Sequence, residues 1–416
     1  MRPLLLLFPI LLLACGSPSG PSPRHIEGRT NAPEMQDRPY VVMVSLDGFR
    51  HDYAERFHAP HLQRIAREGA SAEAMLPCFP SKTFSNHYSL VTGLYPAHHG
   101  LVSNTFYDRE RQDMYRIRDR EKVEDGSWYG GTPLWVLAEQ QGMLSASFFW
   151  VGSEADVQGV RPTWSYRYDS SIPYSFRVDQ AISWLEQPPT ERPHLIFLYF
   201  SLTDHIGHSH SPDGPEIEAA VHEVDSLIGE LDRRLTATGL PVNLIVVSDH
   251  GMLGVDTDNP VYLQREADLD EFEIARGSCN WMLYSEDTAL VAGTLHQLNA
   301  RAKGRYTAFH RDSVPAHWQF EGSPRIGDII VTAHPPYILS SWGFPSSPGA
   351  HGYDPDQVPE MGAIFYAKGP QIKPGIRIAP FRNIHVYPLV ANLLGLSLPD
   401  QLDGDPAVLD SLRVGE

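Results

Sequence analysis

Cysteine is scarce in this chain, with three in 416 residues at Cys15, Cys78 and Cys279. That excludes a disulfide-built scaffold, and it means that any metal chemistry must draw its ligands from His and Asp. Basic charge is also short: 33 Lys and Arg face 51 Asp and Glu, for a net charge of −18. A chain of that sign lacks the basic face that non-specific binding of a nucleic-acid polymer requires. Beyond the first fifteen residues no apolar run is long enough to cross a bilayer. There is no internal repeat. What is present is an ordinary globular balance of 42% hydrophobic and 20% charged residues, which excludes a disordered chain. The length allows two or three domains, or one large α/β domain with insertions.

The N-terminus stands apart. Met1, Arg2 and Pro3 lead into an apolar run over residues 4–14, followed by Cys15, Gly16 and Ser17. One positive charge and a short apolar core predict a secretory signal over residues 1–14, too short for a membrane span. The small residue before Cys15 resembles the bacterial lipoprotein signal, whose cysteine becomes the lipidated N-terminus. This predicts an exported protein of a bacterial cell envelope, anchored in a membrane through Cys15. An ordinary cleaved signal with a chance cysteine is the alternative. Residues 15–38 then read as the lipidated cysteine and a flexible Ser-, Pro- and Gly-rich tether. Cys78 and Cys279 remain for the folded part, and the sequence leaves open whether they pair.

Residues 39–416 read as a single domain. Five nearly continuous apolar runs, at 41–46, 145–150, 195–201, 243–248 and 363–367, predict strands buried on both faces. Helical spacing lies between them at 59–68, 132–141, 178–185 and 217–235. This alternation predicts a doubly wound, largely parallel α/β sheet with helices on both faces. Residues 254–350, rich in Gly, Pro and His, read as an irregular insertion over the active-site edge.

In open α/β sheets ligands bind beyond the carboxyl ends of the strands. Here one strand ends at Asp47, a second at Asp204 with His205 and His208 behind it, and a third at Asp249 and His250. Each Asp alone could be a turn or a helix cap. Together with histidine they form a donor set that suits zinc. His351 lies between Ala350 and Gly352, where a tight turn would aim its imidazole inward. Most other histidines read as exposed or hydrogen-bonded structural residues. Among hydroxyls, Ser81, Thr83 and Ser85 each fit a nucleophile or a plain helix cap, and spacing does not choose between them.

The run FPSKTFSNHYSLVTGLYPAHHG at 79–100 resembles the signature of the nucleotide pyrophosphatase/phosphodiesterase family, in the alkaline phosphatase superfamily. VSLDGFR at 44–50, VVSDHGM at 246–252, HGYD at 351–354 and IFYAKGP at 364–370 follow the family's order, as does the pattern from Tyr199 to His208. The resemblance implies an alkaline phosphatase-like fold and a metal-dependent hydrolase holding two zinc ions. Asp204, His208 and His351 would hold one, and Asp47, Asp249 and His250 the other, with Thr83 as nucleophile beside it. Asn104 would donate to a phosphoryl oxygen, and Phe84 and Tyr168 would sandwich a nucleobase. The implied reaction is hydrolysis of a nucleotide phosphodiester or pyrophosphate through a phospho-threonine intermediate. Three positions depart from the family pattern: Leu202 and Thr203 replace an acidic residue and proline, and Ser85 stands where proline is frequent. The family also contains lipid phosphodiesterases acting on choline-type headgroups, so that substrate class stays open. A sulfatase would need a modified Cys or Ser nucleophile, and a monoesterase a serine with an arginine clamp. A non-catalytic surface lipoprotein is disfavoured by competent residues at every key position.

Overall fold

The computed structural model describes residues 22–341 and 347–415. The signal reading of residues 1–14 and the lipidation reading of Cys15 lie outside the described residues.

Strands form at Tyr40–Leu46, Ser145–Phe148, Leu195–Phe200, Val242–Val247 and Phe365–Lys368, where the apolar runs predict them. Each is buried on both sides because successive side chains point to opposite faces. Val41, Met43, Phe197 and Ile245 enter one core, while Val42, Val44, Leu198 and Val246 enter the other. Helices Thr83–Thr92, Leu134–Gln140 and Val386–Leu394 cover the first face, and Pro60–Glu68, Tyr174–Leu185 and Pro215–Ala237 the second.

The sheet has nine strands. In spatial order they are Arg24–His25, Trp164–Tyr166, Ser145–Phe148, Leu195–Phe200, Tyr40–Leu46, Val242–Val247, Phe365–Lys368, Ala70–Ala72 and Ile376–Ile378. The strands from Trp164–Tyr166 to Val242–Val247 are parallel neighbours. Phe365–Lys368 departs from the parallel pattern and pairs antiparallel with Val242–Val247. Apolar continuity reports burial on both faces, and it carries no information on direction.

Two expectations are corrected. Residues 22–38 are not a free tether. Arg24–His25 adds an antiparallel edge strand to Trp164–Tyr166, and the His25 ring stacks on Trp164 at 3.7 Å. Buried Asn31 donates to the carbonyls of Pro189 and Arg192 and accepts from the Leu144 N–H. Polar composition suggested a solvated chain, yet the edge strand and a buried amide with three backbone partners dock it. The 254–350 segment is not irregular either. It holds an antiparallel sheet in the order Glu273–Arg276, Asn280–Tyr284, Ile329–Ala333 and Tyr306–His310. Helix Thr288–Arg301, capped by Asp287, packs on it over a third core containing Trp281, Leu283, Leu298 and Val331. Cys78 and Cys279 are buried and unpaired. Among the described residues no helix is long and apolar enough to cross a membrane.

Candidate active site

The expected site residues gather where the central strands end. Asp47 follows Tyr40–Leu46, and Gly48 turns the chain with φ +68°; a Cβ there would lie 2.9 Å from the Cα of Asp204, so glycine permits the approach of two strand ends. Asp204 and His208 ride on the short helix Leu202–His210 after Leu195–Phe200. Asp249 and His250 follow Val242–Val247. His351 arrives from the insertion, next to the two-residue ladder between Leu253–Gly254 and Gly349–Ala350.

Donor atoms of Asp47, Asp249 and His250 lie within 4.8 Å of one another, and so do those of Asp204, His250 and His351. The His250 Nε2 is 3.0 Å from Asp249 Oδ2 and 3.7 Å from Asp47 Oδ1. The Asp204 Oδ1 is 3.4 Å from His208 Nε2 and 3.8 Å from His351 Nε2. His250 therefore belongs to both groups, while His208 stands at the outer rim beside Asp204.

The chemistry of this donor set fits metal cations. Asp47 Oδ1, Asp204 Oδ1 and Asp249 Oδ2 are buried carboxylate oxygens without a hydrogen-bond partner, a costly condition for an anion. Each imidazole is oriented through its other nitrogen: the Nδ1 of His208 lies 2.8 Å from Gly349 O, that of His250 2.8 Å from Gly251 O, and that of His351 2.8 Å from Ser81 O. A proton on Nδ1 donated to a carbonyl leaves the Nε2 lone pair aimed inward, as in histidine ligands of metals. Charges here are strained. Burial, then Asp249 and Asp204, push the Asp47 carboxyl well above its usual range. Burial opposes ionisation of Asp249 as well, but His250 and His87 hold it well below the carboxylate range. Burial and neighbouring His250, Lys82 and His208 depress His351.

Thr83 opens helix Thr83–Thr92, after an extended Lys82, and its Oγ1 lies 3.2 Å from His250 Nε2. The other two hydroxyls are spent elsewhere. Ser81 donates to Tyr353 O at 2.6 Å, and Ser85 donates to Lys82 O at 3.1 Å. That separates Thr83 from the alternatives that spacing leaves open. The Asn104 Oδ1 accepts the Phe84 N–H at 2.9 Å, which leaves its amide protons for the cavity. A cavity of about 430 Å³ spreads over Thr83, Asn104, Phe84 and Tyr168. Tyr168 is 41% exposed at the rim and meets Phe149 edge-on at 5.1 Å.

Three supporting residues escaped the sequence reading. The His87 Nδ1 is 2.9 Å from Thr83 O and 3.3 Å from Asp249 Oδ2, and its Nε2 is 2.8 Å from Ser45 Oγ. Its position four residues after Thr83 on one helix face was the available signal. Tyr199 donates to Asp47 Oδ2 at 2.5 Å. Lys82, buried and with its pKa lowered by that burial, donates to His351 O at 2.6 Å and to Ser278 Oγ at 3.2 Å.

Comparison with known proteins finds relatives over most of the chain. Mouse ectonucleotide pyrophosphatase/phosphodiesterase family member 1 is 32% identical over 403 residues, covering 91% of this chain and 43% of the mouse protein. The chain thus spans less than half the length of that relative. An uncharacterised pyrophosphatase/phosphodiesterase of Schizosaccharomyces pombe is 31% identical over 388 residues, covering 86% of this chain and 77% of the yeast protein. Among solved structures, murine ectonucleotide pyrophosphatase/phosphodiesterase 5, an inactive threonine-to-alanine variant in complex with AMP, superposes with a TM-score of 0.85 at 27% identity, covering 91% of this chain and 100% of that one. With residues 41–354 matching the family as a whole, the chain belongs to the type I phosphodiesterase / nucleotide pyrophosphatase family.

Proposed function

We propose that this chain hydrolyses phosphodiester or pyrophosphate bonds of nucleotides through a covalent phospho-threonine intermediate on Thr83, with two zinc ions as cofactors. The observation that carries this reading is the meeting of one hydroxyl, Thr83, whose hydrogen-bond partner His250 is itself a candidate ligand, with three buried carboxylate oxygens lacking hydrogen-bond donors and three oriented imidazoles. Asp47, Asp249 and His250 would hold the cation beside Thr83, and Asp204, His208 and His351 the other. Bound zinc would supply the positive field that lowers the hydroxyl pKa and favours charge on the departing oxygen.

The chain's own residues do the rest. Helix Thr83–Thr92 presents the hydroxyl at its first residue. The Thr83 hydroxyl gives up its proton to solvent, the Oγ–phosphorus bond forms as the bond to the leaving oxygen breaks, and that oxygen takes the electron pair. The Asn104 amide donates where charge gathers on a non-bridging oxygen. Water then cleaves the Thr83 ester and restores the hydroxyl. Phe84 and Tyr168 border the same cavity and offer aromatic faces to a base. The relative solved with AMP supports the nucleotide reading. The apolar run and Cys15 support an exported, membrane-anchored lipoprotein.

The test is hydrolysis of bis-p-nitrophenyl phosphate and of p-nitrophenyl thymidine 5′-monophosphate, with and without chelator. Both activities should vanish on chelation and return with zinc, and p-nitrophenyl phosphate should be a poor substrate. Metal analysis should find two zinc ions per chain. Thr83→Ala should lose turnover by about 10³-fold or more while keeping zinc and thermal stability, and Thr83→Ser should retain part. Near-normal turnover by Thr83→Ala would place the nucleophile elsewhere.

A further inference from the structure

The loop that carries Tyr168 is exposed throughout residues 167–171, just after strand Trp164–Tyr166 ends. On its inner side the Tyr168 ring meets Phe149 at 5.1 Å and Tyr199 at 6.4 Å between centroids. On its outer side the preceding residue makes an ion pair: Arg167 Nε lies 2.7 Å from Glu124 Oε1. The other oxygen of that carboxylate, Oε2, accepts from Arg24 at 3.0 Å. Glu124 closes the short helix Arg120–Glu124, and its side chain is sheltered between two exposed arginines. Arg120 approaches the same Oε1 at 3.3 Å and also pairs with Glu154.

Arg24 comes from the N-terminal edge strand, which follows the stretch leading to Tyr168. It stands opposite Ser165, with His25 opposite Trp164, and the Ile26 N–H donates to Thr163 O at 2.9 Å. Arg29 then donates to Arg161 O at 2.8 Å. Two routes thus join this segment to the loop, one through the strand ladder and one through Glu124. Two guanidinium groups brought this close repel, and the carboxylate between them turns repulsion into a shared bridge. By occupying Oε2, Arg24 fixes the rotamer that offers Oε1 to Arg167; without it the carboxylate is free to turn toward Arg120. We infer that residues 24–29 are a specificity strap, and that Arg24, acting through Glu124 and Arg167, is a positioning residue for the Tyr168 rim. Affinity for the base then depends on a segment remote in sequence from the cavity, while a substrate without a base is blind to it. The inference rests on the reading of Tyr168 as one face of the nucleobase site.

The experiment uses the full chain and compares p-nitrophenyl thymidine 5′-monophosphate with p-nitrophenyl methyl phosphate, which has no base. Arg24→Ala should raise KM for the nucleotide ester by about threefold, and Arg24→Glu, which sets two carboxylates against each other, by about fivefold, with kcat near wild type. For the methyl ester kcat/KM should not change. Arg24→Lys should keep most of the wild-type KM, because it keeps the charge. In a Tyr168→Ala background Arg24→Glu should raise KM no further, since the ring it positions is gone; a general loss of folding would not show that coupling. If Tyr168→Ala raises the nucleotide-ester KM and Arg24→Glu does not, or if Arg24→Glu harms both esters equally, the strap assignment is wrong while the base-site reading stands. A wild-type KM in Tyr168→Ala would remove the base-site reading and this inference together. If wild type cleaves neither ester, the activity reading fails as well.

Discussion

Asn104 serves two masters. Its carbonyl oxygen holds the Phe84 N–H, and its amide group faces the cavity. The two roles come apart in Asn104→Asp, which keeps an acceptor for Phe84 but replaces the donor with a second oxygen. That variant should fold normally and lose about 10²–10³-fold in kcat with both nucleotide and small diester substrates. Asn104→Ala should lose similar activity and also about 1 kcal/mol of stability, read by denaturant titration. Phe84 behaves differently, since it is half-buried and packs on the larger core. Phe84→Ala should therefore cost some stability, but its diagnostic effect is on specificity. Loss of one stacking face should lower kcat/KM for a nucleotide ester by about tenfold to a hundredfold relative to a methyl ester. Equal losses on both esters would make Phe84 a support of the Thr83 loop only. The residues proposed to touch substrate or cation could be named from the sequence, because Asp, His and Thr fall directly after apolar strands or within a family motif. Tyr199 and His87 were not. Tyr199 closes a buried strand and His87 lies inside a buried helix, so their polar atoms look like ordinary core satisfaction until Asp47 and Asp249 appear beside them.

Helix Thr83–Thr92 carries the proposed nucleophile, and eight of its ten residues are buried. A helix buried nearly all round shows no polar stripe, so periodicity could not reveal its length. Its N-terminal turn is held by Asn86, a fully buried side chain. Asn86 accepts from Cys78 N at 2.7 Å and Asn383 Nδ2 at 3.0 Å, and donates to the carbonyls of Pro80 and Lys82, each at 3.0 Å. Asn86→Ala would strand several of these groups without water. It should destabilise the protein by about 3 kcal/mol in denaturant titration and lower kcat through misplacement of Thr83. A variant as stable as wild type would show that water fills the gap. Other elements were legible in kind and not in detail. The strand at Phe365–Lys368 was visible as an apolar run, yet its antiparallel direction depends on where the insertion returns the chain. The sheet of residues 273–333 was missed because its strands of four or five residues are split by Gly-, Pro- and His-rich loops.

At the scale of the whole molecule, three hydrophobic cores of the described residues pack on the nine-stranded and four-stranded sheets, and the candidate metal donors sit where the insertion meets the strand ends. Cys15→Ser tests the anchor. It should convert a membrane-associated protein into one that partitions as soluble or is mis-sorted, with specific activity unchanged, since Cys15 is far in sequence from every proposed ligand. Equal membrane partitioning of the two forms after a salt wash would remove the lipoprotein reading. Composition described residues 15–38 as one loose stretch, but the edge strand at Arg24–His25 begins nine residues after Cys15. Nine residues at full extension reach about 30 Å, whereas the 25 residues from Cys15 to Tyr40 would reach about 85 Å. A lipid at Cys15 would thus act as a short leash. It would confine the cavity to a thin layer above the bilayer, so that the chain would sample solutes at the membrane face and would not sweep the depth of the surrounding compartment.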